Sequence, residues 1–273
     1  MSTQTPTRAT TPAPTAASPR VGATLGEPRA VPFTRVAHVE LRKMVDTLAG
    51  RWLLIATVAF AVAVMALFIA FGETDEVSVG LFLGLVGLPF GVLVPVLGIM
   101  AATAEWSQRA GLVTFTLEPR RGRVIAARVA AGLVLGTGVV LASTVLAYLA
   151  TALGGLTGAQ TSYALDPWVL LGFLAMMLLS LLQGLAFGLL LLNTPAAIVS
   201  ILSLPLLFTL ATSFTESAER IARWLDLTLA SAPLSEGSAL TGTELAHLVT
   251  SSLVWIALPF AIGAWRILRR EVK

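Results

Sequence analysis

The sequence predicts an all-α integral membrane protein with six transmembrane helices, and three observations carry that prediction. The chain is 56% hydrophobic and 12% charged, against about 25% charged in a soluble domain. Six apolar runs are each long enough to cross about 30 Å of hydrocarbon, which takes roughly 20 helical residues. With a cytoplasmic N-terminus, sixteen of the eighteen basic residues fall inside and only Arg220 and Arg223 outside, as the positive-inside bias requires.

Residues 1–32 are rich in Thr, Pro and Ala and carry no apolar run, so they read as a disordered cytoplasmic tail rather than a signal peptide. The rest, 33–273, reads as one transmembrane domain. Its first element is a basic amphipathic helix. Phe33, Ala37, Leu41, Met44, Val45 and Leu48 share one face. Arg35, Arg42, Lys43 and Asp46 lie opposite, and Glu40 intrudes on the apolar stripe. Such a helix lies along the inner leaflet, with Arg42 and Lys43 at the headgroups.

The spans follow at 52–71, 79–102, 129–153, 168–192, 195–213 and 245–265. The fourth and fifth together run about 69 Å at 1.5 Å per residue, so they form a hairpin across Asn193-Thr194-Pro195. The second span is punctuated by Gly80, Gly84, Gly87, Pro89, Gly91, Pro95 and Gly98. Gly80/Gly84 and Gly87/Gly91 are spaced for close helix packing. Both a bending helix at a subunit interface or on a translocation path and ordinary membrane packing fit that pattern. Trp52, Trp106, Trp168 and Trp265 sit at span ends, like an interfacial aromatic belt.

Residues 105–119 are the most informative segment. Trp106, Ala110, Val113 and Leu117 form one apolar stripe. Glu105, Gln108, Arg109, Leu112, Phe115 and Thr116 form a second face, two apolar anchors within a polar rim, which has the composition of a docking surface. Pro119 ends the helix. Arg120, Arg121, Arg123 and Arg128 then hold the chain at the inner headgroups, with Trp106 anchoring the first face.

Between the fifth and sixth spans, Ser213-Phe-Thr-Glu216 fits a capping box. An extracellular amphipathic helix follows, with Phe214, Ala218, Ile221, Ala222, Leu225 and Leu229 on its apolar face and Glu216, Glu219, Arg223 and Asp226 opposite. Phe214, Ile221 and Leu225 make it a candidate gate, lying in the outer interface or dipping in and returning.

No Asp, Glu, Lys or Arg lies mid-span, which disfavours ion-coupled carriers and intramembrane enzymes. The deep polar residues are hydroxyls and amides, among them Ser143, Thr144, Ser180, Gln183, Ser200 and Ser203. His38 and His247 have no metal-ligand spacing, and no cysteine is present, so no metal site or catalytic residue is expected. Glu244 and His247, three residues apart near the outer end of the last span, read as an interfacial polar pair, with an acid–base pair as the alternative. A pathway without charge suits a hydrophobic or amphipathic cargo.

The order of these parts resembles the ABC-2 type transporter permease subunits. The residues that carry the resemblance are Glu105, Arg109, Thr114, Leu117, Pro119, Arg121 and Arg128, the run Val39-Glu40-Leu41-Arg42-Lys43, and the ending Arg269-Arg270-Glu271-Val272-Lys273 after Trp255, Leu258-Pro259, Gly263 and Trp265. Leu192-Asn193-Thr194 departs from it, since relatives often have a basic residue there. The resemblance covers about 33–273. It implies that residues 105–119 are a coupling helix docking on a separate ATP-binding subunit, two copies of which serve two permease subunits, identical or homologous, in a bacterial plasma membrane. ATP and Mg would belong to that partner, since this chain has no phosphate loop. The chain itself would bind no cofactor and no nucleic acid, would contact membrane lipid, and would not be an enzyme. Export is the direction the family implies. The alternative is a non-transporting membrane scaffold, sensor partner or immunity protein whose basic helix binds another cytoplasmic protein.

Overall fold

In hydrocarbon an apolar run satisfies its backbone as a helix, and each of the six runs is one. The computed structural model describes residues 31–72, 75–107, 120–212, 214 and 216–269. The N-terminal tail through residue 30 lies outside them. The helices are α1 (Phe33–Asp46), α2 (Leu48–Phe71), α3 (Val79–Ser107), α4 (Arg121–Leu156), α5 (Pro167–Leu191) and α6 (Thr194–Thr212). After α6 come α7 (Glu216–Leu225), α8 (Leu227–Ser231) and a 3-10 turn (Ala232–Ser235). The last are α9 (Gly242–Ser252), a π-helical turn (Leu253–Ala257) and α10 (Leu258–Arg269). Six helices are long and apolar enough to cross a membrane: α2 to α6, and α9 to α10 as one continuous unit. The chain is thus an all-α protein of multi-pass membrane character.

Span ends run past the apolar stretches. α3 continues through Ser107, and α4 begins at Arg121 rather than Val129. Hydropathy marks where charges start, whereas a helix stops only where its hydrogen-bond ladder is broken. Arg128 therefore lies about two turns inside α4.

Helix α5 is central, packing on α3, α4, α6 and α10, with the α3 contact the most extensive. Close backbone approach explains it. A Cβ at Gly184 would lie 1.9 Å from the Pro95 carbonyl oxygen, and one at Gly98 would lie 2.3 Å from that of Leu181. Gly188, one turn on, faces Ile99 and Ala102. The close-packing pair is therefore Gly184/Gly188 on α5. At Gly80, Gly84 and Gly91 nothing lies within 4 Å, and Gly87 meets only Phe173 at 3.9 Å, so within this chain no helix backbone packs closely on these four glycines.

The bundle has two chemically distinct ends. At the basic end, Arg121 donates to the Ile267 carbonyl (2.8 Å) and Arg266 to that of Leu190 (2.6 Å), joining the ends of α4, α5 and α10. At the acidic end, which carries Asp75, Glu76, Asp166, Glu236 and Glu244, two three-residue strands pair in parallel. These are β1 (Glu76–Ser78) and β2 (Gln160–Ser162), with Val77 opposite Thr161. Val77 is buried and packs against Gly154. The sequence gives no sign of this staple, because three residues are too few to show a period.

The expected single helix over 214–229 is instead two. It breaks at Asp226, whose Oδ1 accepts hydrogen bonds from the Thr228 (2.8 Å) and Leu229 (3.3 Å) amides and so caps α8. The Trp255 indole donates to the Leu225 carbonyl. Trp255 lies well inside the last span, about 20 Å along from Gly242. The 3-10 turn then packs tightly at Gly172, near the start of α5. α7 and α8 thus form a re-entrant hairpin with its tip in the middle of the bundle. The expected Ser213–Glu216 capping box lies largely outside the described residues.

A capping box does occur at α9. Glu244 Oε2 accepts from the Thr241 amide (2.7 Å) and Thr241 Oγ1 from the Glu244 amide (3.3 Å). Glu244 is thereby engaged at its own helix start, while His247 packs edge-on against Trp224 at 4.3 Å. The two do not form an acid–base pair. Thr241→Ala should lower stability by about 1 kcal/mol, read from the thermal midpoint of the purified protein.

Candidate functional site

Two sites bring chemistry-bearing side chains together. The first is ionic and sits at the basic end. α1 supplies Glu40 and Lys43, the last turns of α3 supply Glu105, and α4 supplies Arg128. Arg128 Nε lies 3.0 Å from Glu40 Oε2, and its Nη2 lies 3.0 Å from Glu105 Oε1. Lys43 Nζ lies 2.6 Å from Glu40 Oε1 and 3.4 Å from Glu105 Oε1. Arg128, Glu40 and Glu105 are at most 4% exposed. The set is formally neutral, which is the condition for burying charges at tolerable cost. The fork of the guanidinium lets one residue hold two carboxylates from different helices. A cavity of about 310 Å³ adjoins the cluster. On its wall the Thr103 and Thr194 hydroxyls, from α3 and α6, are 2.6 Å apart.

Several sequence expectations change here. Glu40, read as an intrusion on an apolar stripe, is the residue α1 buries, with Met44 beside it. Glu105, placed on the docking face, is inside the cluster, because α3 turns it toward α1 and α4. Arg128 is buried rather than at headgroups, and the Lys43 ammonium, 37% exposed, lies against two carboxylates. Trp106 is half-buried and packs with Ala102, Ile125, Leu185 and Ile267. Arg121 binds the end of α10. Arg42 stays exposed, paired with Asp46 at 3.0 Å, and Arg120 is exposed and Arg123 half-buried. Gln108, Arg109, Leu112, Phe115 and Thr116 lie outside the described residues.

The second site is a cavity of about 290 Å³ between α3, α5, α6, the hairpin tip and the π-helical turn. Gln183 and Ser180 on α5, Ser200 on α6 and Asp226 at the tip give it polar walls. Phe187, Phe208 and Trp255 give it an aromatic one. The Trp255 ring stacks on Phe187 at 6.3 Å and meets Phe208 edge-on at 6.4 Å. The π turn carries Trp255 into this wall, and such insertions often occur at functional sites. Asp226 is 4% exposed, and among the described residues no ion pair reaches it. Asp226 is thus not on the polar face of a single outer helix, where the sequence pattern puts it. The signal available was Asp226-Leu-Thr after an apolar pair, which suits a helix restart. Of the candidate gate residues, Phe214 and Ile221 are exposed and Leu225 is half-buried beside the tip. Among the described residues no three His, Asp or Glu are grouped to hold a metal ion.

Comparison with protein-family models, curated proteins and solved structures gave no match.

Proposed function

We propose that this chain is the permease subunit of an ATP-driven exporter, in which a separate ATP-binding subunit docks on residues 108–119. The observation that carries the reading is the ionic cluster. Glu105 and Arg128 sit on the two helices that flank that segment, and both hold Glu40 of α1 or its partner Lys43. A displacement of the segment would therefore move α1, α3 and α4 together, since none of the buried charges can be left unpaired. The polar cavity between α3, α5 and α6 gives such movement something to act on.

In this reading the basic end faces the cytoplasm of a bacterial plasma membrane. Two permease subunits, identical or homologous, pair with two ATPases, and ATP and Mg are handled by the ATPases. Leu112 and Phe115 are the docking anchors, with Gln108, Arg109 and Thr116 around them. Glu105 belongs to transmission rather than to docking.

Leu112→Glu and Phe115→Glu, each in the full chain, are expected to abolish co-purification of an ATP-hydrolysing subunit while leaving the protein in the membrane fraction. Undiminished ATPase activity in both variants, or none with the unmutated chain, would count against the reading.

A further inference from the structure

We infer that the cavity at the hairpin tip is a binding site for an organic monocation with an apolar body, a quaternary or protonated amine. Its use as the cargo site rests on the exporter reading; the site itself does not. Asp226 is the reason for the charge. Capping α8 needs only an oxygen acceptor, and Asn or Ser would supply one without a charge. An aspartate there puts a carboxylate in the middle of the bundle, 4% exposed, with no cation beside it among the described residues. Ionisable groups at such depth ordinarily serve binding or transport.

The aromatic residues are the reason for an organic cation. Phe187, Phe208 and Trp255 line the same space as one packed aromatic cluster, and aromatic rings attract weakly hydrated cations. A metal ion would instead need several oxygen ligands at short range, whereas much of this wall is carbon, Pro95, Met176, Ile201 and Pro205 among it. Gln183 and Ser180 can orient a polar substituent. At about 290 Å³ the space is at the small end of ligand pockets, which suits a single-ring amine or the head of a longer amphiphile.

The test is equilibrium binding of labelled benzyltrimethylammonium to the full chain in lipid nanodiscs, with no ATPase present. Its failure is thereby separate from failure of the exporter reading. Asp226→Asn keeps the cap and removes the charge. Affinity should fall at least about tenfold, which is 1.4 kcal/mol, with the thermal midpoint unchanged. On the unmutated chain, the neutral isostere neopentylbenzene should compete at least about tenfold more weakly than the cation, and benzylsulfonate should not compete. These competitions hold even if the variant fails to fold. Equal affinity in Asp226→Asn, equal competition by the isostere or the sulfonate, or displacement by equimolar potassium would overturn the assignment.

Discussion

Arg128→Met is expected to destabilise the folded chain by about 3–5 kcal/mol, the cost of breaking a buried ion pair by removing one partner. Two carboxylates depend on this guanidinium, Glu40 at 3.0 Å and Glu105 at 3.0 Å. Lys43 cannot take its place. Its ammonium is closer to Glu40 (2.6 Å) than to Glu105 (3.4 Å), and it is 37% exposed. Among the four described groups the substitution therefore leaves two carboxylates to one ammonium. Denaturation of the purified protein should show the loss. Adding Glu105→Gln to Arg128→Met leaves Lys43 paired with Glu40 and should recover part of the loss, because a buried amide costs less than a buried unpaired charge. A change under about 1 kcal/mol in the single variant would mean that water or lipid headgroups reach the cluster.

The second large effect is expected at Gly184. A side chain there would have its Cβ 1.9 Å from the Pro95 carbonyl oxygen, and backbone cannot swing aside as a side-chain tip can. Gly184→Leu must therefore part α3 from α5 along their main contact, and overpacking of this kind costs about 3 kcal/mol. Gly84→Leu is the control. It lies on the same helix as Gly98, but its Cβ would meet nothing within 4 Å, so its thermal midpoint should be unchanged or slightly raised. Equal effects at the two positions would show that the α3–α5 contact does not set stability.

The six helices were legible because bilayer thickness fixes the length of an apolar run, and the run needs no knowledge of its neighbours. The two ends were legible because charge sorts along the chain. What the sequence hid depends on which helix stands beside which. Glu40 looks misplaced on the wheel of α1 alone, and becomes intelligible only beside Arg128, a residue on α4. Glu105 has the same difficulty, since its position within residues 105–119 suggests a surface and its partners lie on two other helices. Gly184/Gly188 carries no comparable signal, because α5 lacks the density of Gly and Pro found in α3. Asp226 was placed correctly in sequence and wrongly in space. The hydrophobic stripe continues through it, so only the capping bonds reveal the break.

The β1–β2 pair bears on the order in which the bundle assembles. Its strands lie on either side of α3 and α4, so they meet only after both helices have crossed and the chain has returned to the same face. Contacts between distant parts of a chain close late, because loop entropy is lost before they form. The staple is then a late checkpoint on the first three spans. Disrupting the packing of Val77 against Gly154 should slow or misdirect maturation more than it weakens the finished protein.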